Sequence, residues 1–208
     1  MVHDPVLTQP PPRNRRPDGR RQRSERTRQL IIEAYLDLLG KGVRTPTASQ
    51  IAEQAGYSVR SIFERFADLR ALSLATADHA IVVGQTESEA RDVDGDRPTR
   101  IKSHVKTRAL ACEKWLPLWR ALLETQDQLA ELKTRVMLVR QANLERLKLM
   151  YGPELAILPD AERQQLLFAL GALTSFESWD QLRHSYGLTM EKAQDVWRAA
   201  IDRMLPTR

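Results

Sequence analysis

The stretch TASQIAEQAGYSVRSIFERFADLRAL, residues 47–72, constrains the fold of this chain more than any other part of it. Local chemistry alone marks two short helices and the turn between them. Thr47 stands three residues before Gln50, so its hydroxyl can accept from the Gln50 amide while the Gln50 side chain reaches back to Thr47, a capping box that starts a helix. Gly56 supplies the left-handed residue that ends it, and Ser58 can cap the next, so the connection is short and the helices cross steeply, as in a helix-turn-helix. Ile51, Ala52, Ala55, Ile62, Phe63 and Phe66 are expected to face inward. Val59, Arg60, Ser61, Glu64 and Arg65 are left facing outward, and a helix of that kind in a major groove can donate from its arginines to phosphates or guanine edges. The same spacing also suits two amphipathic helices of an ordinary bundle, so the context has to decide.

Charge is part of that context. Residues 1–28 carry eight Arg against Asp4, Asp18 and Glu25, which accounts for the whole formal net charge of +5; the remainder balances. A basic segment placed directly before the helix-turn-helix has the character of a phosphate-binding arm. Pro5, Pro10, Pro11, Pro12 and Pro17 oppose a stable helix there, so residues 1–23 are predicted to be a disordered Arg/Pro-rich arm that touches DNA loosely, a solvated leader being the alternative. A chain of 208 residues with 42% hydrophobic content can bury a core. It has no run of about 18 apolar residues that could span a membrane and no secretory leader, so a cytoplasmic location is expected. Cys112 is the one cysteine and reads as a small core residue.

Helical periodicity runs through the rest with no competing strand pattern, which predicts an all-α chain. Helix one is expected over about Glu25–Leu39 with Ser24 as its cap, and a linking helix over Leu69 to about Glu89. Further helices are expected near Arg100–Lys114, Leu116–Thr125, Asp127–Tyr151, Asp160–Tyr186 and Thr189–Leu205, with Gly152-Pro153 and Pro159 separating them. The acidic loop from Asp92 to Thr99 lacks calcium-loop spacing, since its Gly95 falls fourth rather than sixth.

At this point residues 24–75 resemble the N-terminal domain of the TetR family of transcriptional regulators. The resemblance runs through RTRQLIIEAYLDLLGKG, then T-x-x-x-I-A-x-x-A-G-x-S at Thr47–Ser58, then S-I-F-x-x-F at Ser61–Phe66 and Leu72. It implies a helix-turn-helix DNA-binding domain over 24–75 and a helical effector-binding and dimerisation domain over 76–208. The implied function is that of a dimeric repressor, released from a near-palindromic double-stranded operator by a small-molecule effector. A helical effector- or partner-binding module with weak or non-specific DNA binding is the alternative. Val59, Arg60 and Ser61 would meet base edges, while Thr47, Ser49, Ser58 and Arg65 would hold phosphates. The chain departs from the family at Phe63, where tyrosine is usual, at Arg65 in place of histidine, at Leu69 in place of lysine, and at Arg60, where a small residue or proline is frequent. Those departures leave the contact map open.

Trp115, Trp119, Met137, Phe168 and Trp179 are candidate linings for an effector cavity between the C-terminal helices. Leu166, Leu170, Leu173, Phe176, Val196, Trp197 and Ile201 are expected at a homodimer interface built from the last two helices, where Gly171 and its neighbouring alanines would admit a close helix approach. No catalytic constellation and no cofactor or metal site is expected. His3, His79, His104 and His184 have no ligand spacing between them, and neither a G-x-S-x-G elbow nor a phosphate-cradling glycine loop occurs.

Overall fold

The computed structural model describes residues 18–207, and among them every regular element is helical. Helix α1 (Asp18–Gly40) packs against α2 (Ala48–Ala55), which turns into α3 (Val59–Phe63). Together they form a three-helix head around Ile31, Tyr35, Leu38, Ile51, Ile62 and Phe66, all buried. Helix α4 (Leu69–Glu87) leaves the head and reaches the body. There α5 (Arg97–Thr125) is surrounded by α1, α4, α6 (Ala130–Leu155), α8 (Phe176–Asp180) and α9 (Met190–Met204). Helix α7 (Asp160–Leu173) lies on α6, and a single π turn, Gln181–Ser185, follows α8.

The start of α1 differs from expectation. The helix begins at Asp18, so Ser24 lies inside it and is no cap, and residues 18–23 are an extension of α1 rather than part of an arm. Residues 1–17, the rest of the predicted arm, lie outside the described residues.

The expected break between Lys114 and Leu116 does not occur: helix α5 is continuous there and through Pro117. A proline inside a helix costs about 3 kcal/mol, but Trp115, Leu116, Leu118 and Trp119 around it are all buried, and each large side chain taken from water returns about 1.5–3 kcal/mol. Packing therefore outweighs the lost hydrogen bond. In α6 the axis does break, at Tyr151 (φ −118°, ψ 20°), yet helical turns resume through Gly152 and Pro153 to Leu155.

That kink is held by a buried ion pair. Arg100 lies 4% exposed and Glu154 5% exposed, with Nη2–Oε1 at 2.5 Å and Nη1–Oε2 at 2.8 Å. The same guanidinium donates to the Met150 carbonyl beside the kink and to Gly95 O at the end of the acidic loop. All of its charge is thus answered, which a buried ion needs. Burial opposes the charged Glu154 carboxylate, but the Arg100 hydrogen bonds and charge outweigh burial and hold its pKa below the ordinary value.

A downward shift has the opposite consequence for charge at His104, which is buried with Nδ1 2.8 Å from Tyr151 Oη. Burial, reinforced by the Arg108 and Arg146 charges, pushes its pKa down to about 3. It is a neutral core residue.

Removing one member of the buried pair strands the other. Glu154→Leu is expected to lower stability by about 3–5 kcal/mol in urea unfolding at neutral pH, and Arg100→Met/Glu154→Leu should recover most of that loss. The sign with pH follows from the depressed carboxyl. Its stabilisation is complete above the unfolded value of about 4.3 and is lost as pH falls through the lower folded value. The double variant should lack this component of acid sensitivity.

Candidate nucleic-acid interface and internal cavity

Local signals position the head's outer face. Thr47 Oγ1 accepts from Gln50 N at 3.3 Å and Gln50 Oε1 accepts from Thr47 N at 2.9 Å, closing the capping box. Gly56 takes φ +71° and its N–H turns back to Ala52 and Glu53 carbonyls. Ser58 Oγ accepts from Ser61 N at 3.2 Å, so α3 starts where the turn ends.

Thr47, Ser49, Ser58, Val59 and Arg60 are exposed on this face. Arg60 is the most open, with 88% of its side chain exposed and only the neighbouring Glu64 as a partner, Nε–Oε1 3.1 Å. Ser61 is half-buried, its hydroxyl 3.0 Å from Ser58 Oγ. Arg65 is also half-buried, with Nη1 3.6 Å from Glu64 and an enclosed Nε that has no partner. Beneath it, Arg28 stacks on Phe66 at 4.4 Å and donates to the Arg65 carbonyl. Phe63 corrects the sequence reading. It was expected inside with Phe66, but it is 46% exposed, because α3 is only five residues long and Ile62 and Phe66 already fill the head's core. The outer face of the head therefore carries an aromatic ring beside Val59 and Arg60.

A cavity of about 370 Å³ opens in the body, walled by α4, α5, α6 and Phe176. Trp115 and Trp119 line it as expected from the sequence. Met137 does not; it is 61% exposed on the far side of α6. Trp179 is fully buried away from the cavity, against Trp197 at 4.6 Å, with its indole N–H donated to Glu113. Phe168 lies at the margin of an adjoining, more open pocket of about 320 Å³ and is 56% exposed.

Phe168 and Phe176 have in effect exchanged the places expected of them. Phe176 was assigned to a dimer surface but is buried, stacked on Trp119 at 4.7 Å. Leu170, Trp197 and Ile201 are likewise sealed within their own chain and cannot meet a second copy without opening the core. Leu166 and Leu173 are half-buried, and Val196 alone of that set is exposed. The expected close approach at Gly171 is internal: a Cβ there would stand 2.7 Å from Leu144 of α6. Among the apolar residues that α7 and α9 turn outward are Phe168, Ala169, Ala172, Val196 and Ala199, beside exposed polar residues such as Gln164, Gln165 and Asp195.

The sequence reading missed the polar lining of the cavity: Arg108, Asn143 and Arg146. One signal was available. On α5, His104, Arg108, Ala111, Trp115 and Trp119 recur at helical spacing, so Arg108 is a charge set in a stripe of large apolar residues.

No protein-family model matches the chain, and no curated protein matches it in sequence. Solved structures do share its architecture. A TetR-family regulator from Mesorhizobium loti superposes with a TM-score of 0.59 at 14% identity, covering 88% of this chain and 96% of its own. A transcriptional regulator from a Rhodococcus species gives 0.62 at 13% identity, over 87% and 98%. The multidrug-binding protein EbrR, complexed with imidazole, gives 0.58 at 16%, over 88% and 92%. The chain has the TetR-regulator fold. Among the described residues of this TetR-like fold, no cluster of three metal-ligating side chains occurs and no helix is long and apolar enough to cross a membrane.

The turn offers a direct check on the geometry of the head. A side chain at Gly56 would meet open space but would have to hold φ +71°, which costs an L-residue about 1–2 kcal/mol. Gly56→Ala is expected to lower the thermal unfolding temperature, and Gly56→Asn to lower it less, because asparagine tolerates the left-handed region.

Proposed function

We propose that the chain is a sequence-specific, dimeric transcriptional repressor that acts in the cytoplasm and leaves its operator when a small molecule fills the cavity. The observation that carries this reading is α4. It starts at the Asp68 cap, where Asp68 Oδ1 accepts from Ala71 N at 2.7 Å, directly after the helix-turn-helix. Its middle residues Ala77, Ala80, Ile81 and Gly84 then form a wall of the cavity. One continuous helix thus joins the surface that would touch DNA to the space that would hold an effector. The EbrR neighbour, a multidrug-binding protein, supports the same division of labour.

Arg60, Val59, Ser61 and the exposed ring of Phe63 would read base edges, the two apolar groups suiting a thymine methyl. Thr47, Ser49, Ser58 and Arg65 would hold phosphates, with the Arg-rich N-terminal segment adding loose electrostatic contacts. A dimer joined through the outer faces of α7 and α9 would set two heads on two half-sites of a near-palindrome. An effector would then act only through its preference for a head spacing that does not fit the operator.

Selection of bound duplexes from a random pool should return a two-fold symmetric sequence. On that operator Arg60→Ala should cost about 1–3 kcal/mol and relax specificity at one symmetric pair of positions, with little change in melting temperature, since an exposed ion pair contributes at most about 1 kcal/mol. Uniform weakening on every sequence would reassign Arg60 to phosphate, and no duplex binding at low salt would favour a binding module that does not read DNA.

For the dimer, Phe168→Arg should yield monomers in sedimentation that keep their helical content and melting temperature and lose operator affinity. Phe176→Arg should instead unfold the body, because it buries a charge beside Trp119. Dimers that survive Phe168→Arg would move the interface off α7.

A further inference from the structure

The cavity holds more positive charge than its own carboxylates neutralise. Three arginines line it, Arg108, Arg135 and Arg146, against the single carboxylate of Glu145. Arg135 is satisfied by Asp78 of α4, Nε–Oδ1 2.9 Å. Glu145 is taken by Lys148 and Gln141 at the surface, and Glu177, at the neighbouring pocket, by Arg140. Among the described residues Arg146 forms no ion pair. Its half-burial and the nearby Arg108 guanidinium both lower its pKa, and no acid opposes them. Arg108 gives its Nε to the Thr174 carbonyl at 2.8 Å and lies over the Phe176 ring at 4.6 Å, a place that aims it but leaves its charge unanswered.

The hydrogen-bond inventory leans the same way. The indole N–H of Trp115 is buried without an acceptor, while that of Trp119 turns towards the Glu177 carboxylate; the orphaned acceptor on the cavity wall is Asn143 Oδ1 alone. Asn143 is fixed in position by donating Nδ2 to Thr174 Oγ1. Trp115 Nε1 lies 3.7 Å from where a Cβ on Gly84 would sit, so the glycine leaves that donor uncovered on the cavity side of α4. A site with surplus donors and surplus positive charge, walled otherwise by aromatic and aliphatic groups, is complementary to one kind of molecule. Two unneutralised guanidiniums near each other repel, and an anion between them converts that repulsion into two charge-assisted contacts.

We propose that the cavity takes an amphipathic organic anion, a carboxylate on an aromatic or aliphatic body, with its charged end on Arg108 and Arg146 and its apolar end against Trp115, Trp119 and Phe176. This rests on the reading of the cavity as an effector site and adds the charge class of the effector. The volume of about 370 Å³ sits at the lower end of small-molecule sites, so a single compact ligand is expected.

The test uses matched probes that differ only in the head group: octanoate, octanamide and octylamine, and naphthalene-1-acetate with naphthalene-1-acetamide. Each is titrated calorimetrically into the full-length protein at physiological ionic strength, with and without the selected operator. The carboxylate of each series should bind at least about tenfold more tightly than its amide, a difference of about 1.4 kcal/mol, and octylamine should bind most weakly. Arg146→Gln should bring the carboxylate-to-amide ratio towards unity while leaving amide affinity and helical content unchanged, and Arg146→Lys should restore part of the preference. Arg108→Gln, with a wider effect expected from its Thr174 and Phe176 contacts, is the second variant.

Amide or amine binding as tightly as the carboxylate overturns the proposal, as does a carboxylate preference that survives both arginine variants. Failure of every probe to bind overturns it together with the effector reading. Carboxylate binding that leaves operator affinity unchanged would instead sink the proposed switch and leave the charge selectivity standing.

Discussion

Enclosure of α5 on nearly every side is the constraint on which the rest of this structure depends. Ile101, Val105, Ala109, Cys112, Leu116, Leu118, Trp119 and Leu122 are all buried, and they face the head, the linking helix α4, the kinked α6 and the C-terminal α9 in turn. A helix enclosed in this way cannot shift without moving its neighbours, because packed interiors have few voids to absorb displacement. It forms the floor against which α4 packs. Two exposed ion pairs also join α4 to its neighbours, Arg135–Asp78 from α6 and Lys114–Glu87 from α5. Ion pairs of that exposure contribute little, so α4 is held mainly by the burial of Leu72, Thr76 and Ala77.

Polar groups inside the body fall into two kinds, and the contrast separates scaffold from site. Arg100 and Glu154 answer each other fully at the α6 kink, and His104 is kept neutral by burial while its Nδ1 meets Tyr151. These groups hold a shape. Arg108, Arg146, Asn143 and the Trp115 indole carry unmet charge or unmet hydrogen-bonding capacity, and they gather around a space. Buried polar groups are normally satisfied, so a cluster of unsatisfied ones around an opening sets the cavity apart from the scaffold. Coupling to DNA would follow from the same geometry. A ligand preferred tenfold by one of two head positions would provide only about 1.4 kcal/mol for each site.

How much was legible in the sequence varied with the range of the interactions involved. The capping box at Thr47, the left-handed Gly56 and the Ser58 cap were all readable, because each is made by residues within five positions of one another. The continuity of α5 past the expected break between Lys114 and Leu116 was not readable for the converse reason: the burial that carries the helix through comes from other helices. Phe168 and Phe176 were exchanged because the helical phase is interrupted at Thr174 and Ser175, where α7 stops and α8 begins under a new cap. A single period carried across that break puts every later side chain on the wrong face. Phe63 was lost to the shortness of α3.

By itself the sequence determined that the chain is helical, where its head turns, and, Phe63 apart, which side chains that turn leaves towards the outer face, since capping, glycine geometry and amphipathic spacing act over a few residues. Only the tertiary structure decided which aromatic rings line the cavity and which lie on the surface. Only it brought Arg108 of α5 and Arg146 of α6 to the same opening, 38 positions apart in the chain. The physical reason is that unneutralised charge is a property of surroundings. Nothing within a helical turn of either arginine reveals whether the packed body will supply it with a carboxylate.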